Sequence, residues 1–395
     1  MNASRVILCI NCGSSSLKFA LYQLADDEQL VASGQVDRIG IPGTSIKVLD
    51  GSGAILREGP FELSRLDEII GAIFAGLEQL HLPRPVAVGH RIVHGGPDHT
   101  APELVTAEVL VALRKIVTFV PLHLPGAIAA IEAISARFPK LRQVVCFDTA
   151  FHRTLPEIAA RFPMRHELWD LGVRRYGFHG LSYEYIVSAL GTQSRGRVIV
   201  AHLGNGASLA AVRDGKSVDT TMGFTPTGGF MMGTRSGDLD PGLILYLLRE
   251  KGYDAEHLDE AVNRAAGLLG VSGVSSDMRT LKESRDPRAE LARQMFGYQL
   301  RKQIGAMAAA LEGIDTLVFT GGIGEHDAEL RWEVCRGLRH LGIEIDSQRN
   351  AANEDPISST GSECMVRVIP TNEDLVIVRH TRAVVGTAES AKGPL

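Results

Sequence analysis

Near its start the chain carries the segment VILCINCGSSSLKFALY, residues 6–22, in which a polar loop with glycine separates two apolar runs. The first run predicts a buried strand. The alternation of Leu17, Phe19 and Leu21 with other residues predicts a second strand with one buried face. Residues 197–212, RVIVAHLGNGASLAAV, follow the same plan of strand, glycine loop and strand. An internal duplication would give two similar domains whose loops face each other, although any two hairpins can look alike at this level.

The rest of the pattern alternates helices with short strands, which predicts an α/β fold. One helix is expected to begin at Ser64, where Ser64 and Asp67 resemble a capping box. Another is expected after Asp240-Pro241, and Asp214-Gly215 predicts a hairpin turn. Further helices are predicted over residues 103–119, 125–136 and 288–312, and further strands over residues 86–88, 143–147, 316–319 and 366–369.

Composition narrows the class of protein. The chain has 395 residues, which at roughly 150 residues per domain predicts two or three domains. Its formal net charge of −5 disfavours nucleic acid as a partner. No apolar run reaches about 18 residues, so we expect no membrane span and a cytoplasmic protein. Glycine is abundant, with 42 residues. Most of it lies in loops at predicted strand ends, where the backbone can approach anionic oxygens.

Cys9 and Cys12 form a C-x-x-C pair. A zinc site would need a second pair, and Cys146, Cys335 and Cys364 do not form one. A redox site of the thioredoxin type would place the pair at the start of a helix. Because Cys9 lies inside an apolar run, we interpret both cysteines as core residues of a protein in a reducing compartment.

Three glycine loops, at residues 11–18, 202–206 and 321–325, have the composition of phosphate-binding loops. The P-loop motif is absent, and Gly322-Ile323-Gly324 lacks the third glycine of a dinucleotide fingerprint. The H-R-D and D-F-G elements of protein kinases are absent as well. The sequence therefore predicts phosphate chemistry on a fold with several separate phosphate loops.

Seven short motifs identify a family. They are NCGSSSLK at 11–18, GHRIVHGG at 89–96, FDTAFH at 147–152, RYGFHG at 175–180, HLGNG at 202–206, MGTRSGD at 232–238 and TNE at 371–373. Together, and in this order, they resemble the acetate kinase family, the acetokinases. The resemblance extends from residue 6 to about residue 382, which is nearly the whole chain.

This resemblance implies a fold and an activity. The fold would be α/β, with two duplicated RNase H-like (actin-like ATPase) domains and the site in the cleft between them. Residues 1–149 with 376–395 would form the first domain, and residues 150–375 the second, nucleotide-binding domain. The activity would be reversible, Mg²⁺-dependent transfer of the γ-phosphoryl group of ATP to acetate by direct in-line transfer, giving acetyl phosphate and ADP. A side activity on propionate and a homodimer are also implied.

Four residues are expected to carry the chemistry. The resemblance implies that Arg91 and Arg235 bind the two anionic reactants, the acceptor carboxylate and the γ-phosphoryl group. Arg235 would be directed at the phosphoryl group in transfer. Two unit charges about 3 Å apart repel by roughly 5 kcal/mol at an effective dielectric near 20, and arginine cannot lose its charge. His179 would stabilise the transition state through a hydrogen bond. An acceptor acid with a pKa near 4 needs no general base, so we interpret Asp148 as orienting an arginine, a metal or water.

The resemblance also implies the binding residues. Lys18 would contact phosphate, and Asn11 and Glu373 would bind Mg²⁺ directly or through water. The β- and γ-phosphates would lie against His202, Leu203, Gly204, Asn205 and Gly206. Adenosine and the α-phosphate would contact Asp277, Met278, Arg279, Gly322, Ile323, Gly324, Glu325 and His326. The acetate methyl group would pack against Val93, Leu122, Phe178 and Pro226.

Several positions depart from the commoner family pattern. They are Cys12, Leu181, Tyr183, the pair Thr227-Gly228, and His326. None of these changes removes a charged group from the chemistry. With the Thr227-Gly228 pair, the preferred length of the acyl chain stays open. With His326, the preferred nucleotide base stays open.

Two other functions stay open at this level. An alcohol-acceptor kinase on the same fold would use Asp148 as a true base. An ATP-dependent binding or chaperone module would need a peptide-binding segment, and only about 20 residues follow Glu373.

Overall fold

The computed structural model describes residues 5–13, 15–24 and 27–390. Ser14, in the first predicted phosphate loop, lies outside the described residues. The strands are β1 (Val6–Cys12), β2 (Ser16–Gln23), β3 (Gln29–Asp37), β4 (Ser45–Asp50), β5 (Ile55–Pro60), β6 (Pro85–Ile92), β7 (Glu103–Leu104), β8 (Arg142–Phe147), β9 (Arg197–Leu203), β10 (Ala207–Arg213), β11 (Lys216–Thr220), β12 (Thr316–Thr320) and β13 (Met365–Val368).

The helices connect and cover these strands. They are α1 (Leu66–Gln79), α2 (Ala107–Lys115), α3 (Leu124–Arg137), α4 (Glu157–Ala160), α5 (His166–Asp170), α6 (Gly180–Leu190), α7 (Pro241–Glu250), α8 (Ala255–Asn263), α9 (Gly267–Ser272), α10 (Met278–Glu283), α11 (Pro287–Ala310), α12 (Gly321–His326), α13 (Ala328–Arg336), α14 (Ser347–Ala351) and α15 (Glu373–Ser390). Among the helices within the described residues, none has the length and apolar character needed to span a bilayer.

The chain divides into two compact units, residues 1–150 with 372–395 (unit 1) and residues 151–371 (unit 2). The predicted boundaries, after residue 149 and before residue 376, differ from this division by one residue and by four residues. Residues 372–375 group with unit 1 because α15 begins at Glu373 and packs on β1, β6 and β8.

Each unit has one sheet. Five neighbouring strands of the first sheet, β3-β2-β1-β6-β8, have the same order as the five strands of the second. The sheet of unit 1 runs β5-β4-β3-β2-β1-β6-β8-β7, and that of unit 2 runs β11-β10-β9-β12-β13. In both, an antiparallel hairpin (β1/β2 or β9/β10) is followed by two strands parallel to its first strand (β6 and β8, or β12 and β13). The repeated five-strand order confirms the predicted duplicated α/β fold.

The core of each unit lies between its sheet and the helices that cover it. In unit 1, Leu8 and Ile10 of β1 join Ile69 and Ile73 of α1 in one buried cluster. In unit 2, residues of α6, among them Tyr183, pack against β9 and β10. Since parallel strands end at the same edge of a sheet, this packing leaves the carboxyl ends of the strands to carry the site.

Several local predictions were wrong. Ser64 does not cap α1, which has Arg65 at its N-cap without a capping side-chain bond. Residues 103–119 do not form one helix: β7 comes first, α2 begins after Thr106, whose hydroxyl accepts from the backbone N–H of Val109, and a short 3₁₀ turn ends the segment. The predicted glycine loop 321–325 is helical and belongs to α12.

Other local predictions were confirmed. The Asp240 side chain caps α7 through the backbone N–H of Gly242. Cys9 and Cys12 lie in β1, three residues apart, so their side chains project to opposite faces of the strand. All five cysteines are buried free thiols, as expected for core residues.

Candidate active site

In unit 1 the candidate residues meet at the carboxyl ends of β6 and β8. Arg91 lies one residue before the end of β6, and Asp148 directly follows β8. The guanidinium donates from Nε to Asp148 Oδ1 over 3.0 Å and from Nη2 to Asp148 Oδ2 over 2.6 Å. This is a two-pronged arginine–carboxylate pair, the geometry that best fixes the orientation of both groups.

Two further carboxylates complete what we call the Arg91 cluster, consisting of Arg91, Asp148, Glu373 and Asp374. Glu373 and Asp374 lie in the first turn of α15, and Glu373 Oε2 is 3.5 Å from Arg91 Nε. Burial alone would lower the pKa of Arg91, but the nearby carboxylates outweigh it and hold that pKa above its ordinary value. Arg91 is therefore permanently charged and is surrounded by carboxylates.

The residues expected to bind Mg²⁺ lie in the same unit. Asn11 of β1 pairs with Lys18 of β2 in the antiparallel register, which places both side chains on one face of the sheet. Among the described residues, no three His, Cys, Asp or Glu side chains group as a complete metal site. Mg²⁺ usually takes one or two protein carboxylates, with phosphate and water filling the other positions, so Asn11 and Glu373 fit its chemistry.

The charge balance near Arg91 also fits a cation. The pKa of Asp374 is raised to about 6, mainly by burial and then by the charge of Glu373, against the opposing effect of Arg91 and Lys18. The cluster thus has three carboxylates, whereas the side-chain cations that act on Asp374 are two, Arg91 and Lys18. An additional positive charge would offset this excess.

Two residues expected at the acetate methyl group also lie in unit 1. Val93, which follows β6, and Leu122 are both half-buried.

In unit 2 the candidate histidine stands at the start of α6. His179 is the N-cap of this helix and has a left-handed backbone conformation with φ of 57°, which is uncommon for a residue with a side chain. Its Nδ1 is 2.8 Å from Ser208 Oγ. Its ring stacks on that of His202, with ring centroids 4.2 Å apart. The neighbouring Phe178 is buried, with 1% of its surface exposed.

Two of the candidate side chains converge on Gly206. A Cβ at this glycine would lie 3.3 Å from Arg235 Nη1 and 3.3 Å from His179 Nε2. Arg235 Nη1 also donates to the backbone carbonyl of Pro226 over 3.1 Å. Arg235, His179 and the loop of residues 203–206 therefore form one surface, which we call the Gly206 platform, and a side chain at Gly206 would crowd both donors.

The loop that forms this platform is held by close backbone contacts. The backbone N–H of Gly204 donates to the carbonyl of Gly206 over 3.1 Å, and that of Gly233 donates to the carbonyl of Asn205 over 3.0 Å. A Cβ at Gly233 would lie 2.0 Å from Asn205 Oδ1, so a side chain there would displace the Asn205 amide. Leu203 is buried, and a Cβ at Gly321 would lie 2.8 Å from its carbonyl oxygen.

The predicted nucleotide residues 277–279 and 322–326 lie at two helix starts of unit 2. Asp277 caps α10 by accepting from the backbone N–H of Thr280 over 2.9 Å, and this hydrogen bond lowers its pKa. Met278 is buried, whereas the Arg279 side chain is 88% exposed. The Asp277 side chain is 47% exposed and its Oδ2 lies 3.6 Å from Arg279 Nη2, so both charges of this pair face solvent.

The turn of α12 is tied together by its own side chains. Glu325 Oε1 accepts from the backbone N–H of Gly321 over 2.8 Å and from that of Thr371 over 3.4 Å. His326 Nδ1 is 3.0 Å from the carbonyl oxygen of Gly322. The Glu325 carboxylate is therefore occupied by hydrogen bonds from the protein's own backbone. If α12 contacts a ligand, we expect the contact to come from the backbone of its glycines.

The residue that anchors this turn was not predicted from the sequence. Arg331 of α13 is fully buried, and its guanidinium donates to the carbonyls of Gly324 and Glu325 over 2.7 and 2.9 Å. It also donates to Asn350 Oδ1, to the Asn350 carbonyl and to Asn353 Oδ1. Burial lowers the pKa of Arg331. Arg331 follows the spacing of the apolar face of α13, with Val334 and Cys335 three and four residues later, and this was the available signal.

Arg331→Met is expected to lower the free energy of unfolding by at least about 3 kcal/mol, because several buried acceptors lose their donor. Calorimetry measures this loss. Arg336→Met is the matched control on the same helix, because Arg336 is exposed and pairs with Glu333 on the surface. Equal behaviour of the two variants would contradict the anchoring role.

Comparison with known proteins places the chain. The model of the Acetokinase family matches residues 6–379. The chain belongs to the acetokinase family. An acetate kinase of Rhodopseudomonas palustris (strain TIE-1) is 46% identical over 391 residues, which cover 95% of this chain and 98% of that protein. An acetate kinase of Clostridium botulinum (strain Hall) is 42% identical over 396 residues, covering 96% and 99% of the two chains.

Two solved structures resemble the chain. The crystal structure of Porphyromonas gingivalis acetate kinase is 37% identical and superposes with a TM-score of 0.88, covering 97% of this chain and all (100%) of that one. A propionate kinase from Francisella tularensis is 36% identical with a TM-score of 0.91, covering 96% of this chain and 100% of that one. Both an acetate and a propionate kinase are therefore structural relatives.

Proposed function

We propose that this acetokinase-family chain transfers the γ-phosphoryl group of ATP reversibly to acetate, giving acetyl phosphate and ADP in one in-line step. The observation that carries the proposal is the convergence of Arg235 Nη1 and His179 Nε2 on Gly206. Two donors aimed at one point of a glycine loop suit the equatorial oxygens of a phosphoryl group in transfer. Membership of the family supports the same activity.

The acceptor would be held by the Arg91 cluster. Two of the five N–H groups of Arg91 are committed to Asp148, which leaves its others to bind the acetate carboxylate. Acetate is ionised at neutral pH and attacks without losing a proton. Asp148, already paired with Arg91, then orients the arginine, which is the role that distinguishes this site from that of an alcohol kinase. Val93 and Leu122, which lie in the same unit as Arg91, would contact the methyl group.

The nucleotide would be held by unit 2. Backbone N–H groups of residues 203–206, with His202, would contact the β- and γ-phosphates, because glycine-rich backbone can approach anionic oxygens closely. Arg235 and His179 would donate to the transferring group. Adenosine and the α-phosphate would lie against Met278, Arg279 and the backbone of α12, with Asp277 and Glu325 acting through the turns that they stabilise.

Mg²⁺ would be bound by Asn11 and Glu373, directly or through water. When bound with ATP, it supplies positive charge to the phosphate oxygens. The chain's own part is to present the two oxygen-bearing side chains and to keep Arg91 beside them.

Trapping with hydroxylamine tests the reaction class. The chain, ATP, Mg²⁺ and acetate should give acetyl hydroxamate, because hydroxylamine captures an acyl phosphate. An alcohol-acceptor kinase would give phosphate esters that resist hydroxylamine. A binding or chaperone module would give peptide-stimulated ATP hydrolysis without hydroxamate. No hydroxamate with acetate, propionate or butyrate would refute the proposal.

We also propose a side activity on propionate. One methylene in an apolar pocket changes binding by only about 1–3 kcal/mol, and a propionate kinase is among the structural relatives. Comparing kcat/KM across acetate, propionate and butyrate ranks the acceptors.

Since all five cysteines are buried free thiols, we propose a reducing compartment, the cytoplasm, for the protein.

The chain is proposed to act as a homodimer through α7. This helix is apolar around most of its surface, yet none of its residues is buried. Leu243, Leu245, Tyr246 and Leu248 are 40–47% exposed. A helix that is apolar on all sides is normally covered by protein, and a second copy of the chain would cover it.

Leu245→Glu is expected to halve the mass in solution, because it places a charge on the proposed dimer face. Light scattering after size-exclusion chromatography measures the mass. Ile158→Glu on α4 is the control, since Ile158 is 91% exposed in unit 2 but lies outside α7. A wild-type monomer, or a dimer unaffected by Leu245→Glu, would contradict this use of α7.

A further inference from the structure

Two buried hydroxyl groups stand behind His179. Ser208 Oγ lies 2.8 Å from His179 Nδ1, and the Tyr183 hydroxyl lies 2.5 Å from the same Ser208 oxygen. Both Ser208 and Tyr183 are fully buried. They thus form a short chain of polar atoms on the side of the ring opposite Nε2, which faces the Gly206 platform.

The chemistry of the two hydroxyls sets the direction of these hydrogen bonds. A phenol is a stronger donor and a weaker acceptor than an aliphatic alcohol, so Tyr183 donates to Ser208 Oγ. Ser208 has a single hydrogen to donate, and with one lone pair taken by Tyr183 it directs that hydrogen to His179 Nδ1. A neutral histidine that accepts at Nδ1 carries its proton on Nε2.

We propose that Tyr183 and Ser208 are positioning residues that hold His179 neutral, with its proton on Nε2 and directed at the Gly206 platform. His179 then donates a hydrogen bond beside Arg235 without adding a second positive charge. The inference rests on the proposed function in one respect: the group that receives this hydrogen bond is the phosphoryl group in transfer.

The other groups around the ring are compatible with this state. His202 of β9 stacks on the face of His179, and its own Nδ1 is 2.8 Å from Ser182 Oγ. Arg235 Nη1 lies within 3.3 Å of the same Cβ position as His179 Nε2. A permanent cation on the same side of the ring as Nε2 disfavours a second charge on the imidazole. From the other side, His152 contacts the ring of Tyr183, with centroids 5.5 Å apart.

Nitrogen NMR of the full chain labelled with ¹⁵N-histidine tests the proposal directly. The His179 signals are assigned by their loss in His179→Asn. The wild type should show His179 protonated at Nε2 and unprotonated at Nδ1. Tyr183→Phe frees Ser208 to accept as well as donate, so the two tautomers should mix. Because these signals need no turnover, they report on the tautomer even if the proposed reaction fails.

Kinetics supply the second readout. Tyr183→Phe and Ser208→Ala should lower kcat for acetyl phosphate formation by about five- to tenfold, the worth of one hydrogen bond, with little change in KM for ATP or acetate. Tyr176→Phe is the matched control: it removes a buried tyrosine hydroxyl that donates to the carbonyl of Gly172 over 2.8 Å, away from His179.

Two results would overturn the proposal. One is a wild-type His179 protonated at Nδ1. The other is a kcat in Tyr183→Phe that matches the control variant. If a substitution prevents folding, the wild-type nitrogen signals still decide the tautomer.

Discussion

Replacing Arg91 with alanine is expected to lower kcat/KM for acetate by about a thousandfold or more. The acceptor carboxylate and the γ-phosphate repel by roughly 5 kcal/mol at contact when no cation stands between them. Each 1.36 kcal/mol of lost transition-state stabilisation costs about a factor of ten in rate. Steady-state kinetics with acetate as the varied substrate measure this loss.

The same variant should be less stable. Asp148 is 1% exposed, and both of its oxygens receive hydrogen bonds from Arg91. Removing one partner of a buried ion pair typically costs about 3–5 kcal/mol, because the other charge is left uncompensated. Calorimetry should therefore show a lower unfolding temperature for Arg91→Ala.

A surface pair provides the control for Arg91. Arg65 also donates from Nε and Nη2 to both oxygens of an aspartate, Asp67, but their side chains are 70% and 54% exposed. Arg65→Ala should change neither stability nor kinetics appreciably, since exposed pairs are screened by water. Equal losses in the two variants, or normal acetate kinetics in Arg91→Ala, would contradict the role of Arg91.

Asp148→Asn separates orientation from base catalysis. The amide keeps one oxygen that can accept from Arg91 but cannot take up a proton, so this variant should retain more activity than Arg91→Ala. The reverse order would identify Asp148 as a proton acceptor.

Arg235→Ala is expected to lower kcat by about a hundred- to a thousandfold, while KM for acetate changes less. Arg235 Nη1 shares the Gly206 platform with His179 Nε2, where it would meet charge that develops during transfer. Losing one such donor typically costs about 2.7–4 kcal/mol. Pre-steady-state formation of acetyl phosphate measures the transfer step itself.

Arg264→Ala is the matched control in the same unit. Arg264 pairs with Asp259 and Glu260 on the surface and is 52% exposed, so its removal should leave kcat unchanged. Near-normal turnover in Arg235→Ala would remove Arg235 from the transfer step.

Local sequence pattern together with the family resemblance was enough for the fold and for part of the site. The two strand–loop–strand segments predicted the repeated hairpins β1/β2 and β9/β10, and Asp148 was recognisable as the residue after a buried strand. Charged residues at the ends of parallel strands meet at one edge of a sheet. The Arg91–Asp148 pair, though 57 residues apart in sequence, follows from this rule.

The remaining features depend on contacts that sequence spacing does not reveal. Ser208 looks like an ordinary polar residue of a strand, and only the packing of α6 on β10 brings Tyr183 and His179 to it. The spacing of α13 puts Arg331 on its apolar face, but its partner Asn350 is known only once α14 is in place. The error over residues 103–119 arose because apolar residues of a short strand and a short helix can mimic one longer helix.

Isotope transfer from acetate tests the central claim, attack of a carboxylate oxygen on the γ-phosphorus, most directly. Acetate labelled with oxygen-18 in both oxygens is converted with ATP and Mg²⁺, and the product is cleaved with hydroxylamine. Hydroxylamine attacks the carbonyl carbon, so the released phosphate keeps the bridging oxygen. We predict phosphate carrying one oxygen-18 atom, with ADP as the other product. Unlabelled phosphate, or AMP with pyrophosphate in place of ADP, would contradict the account.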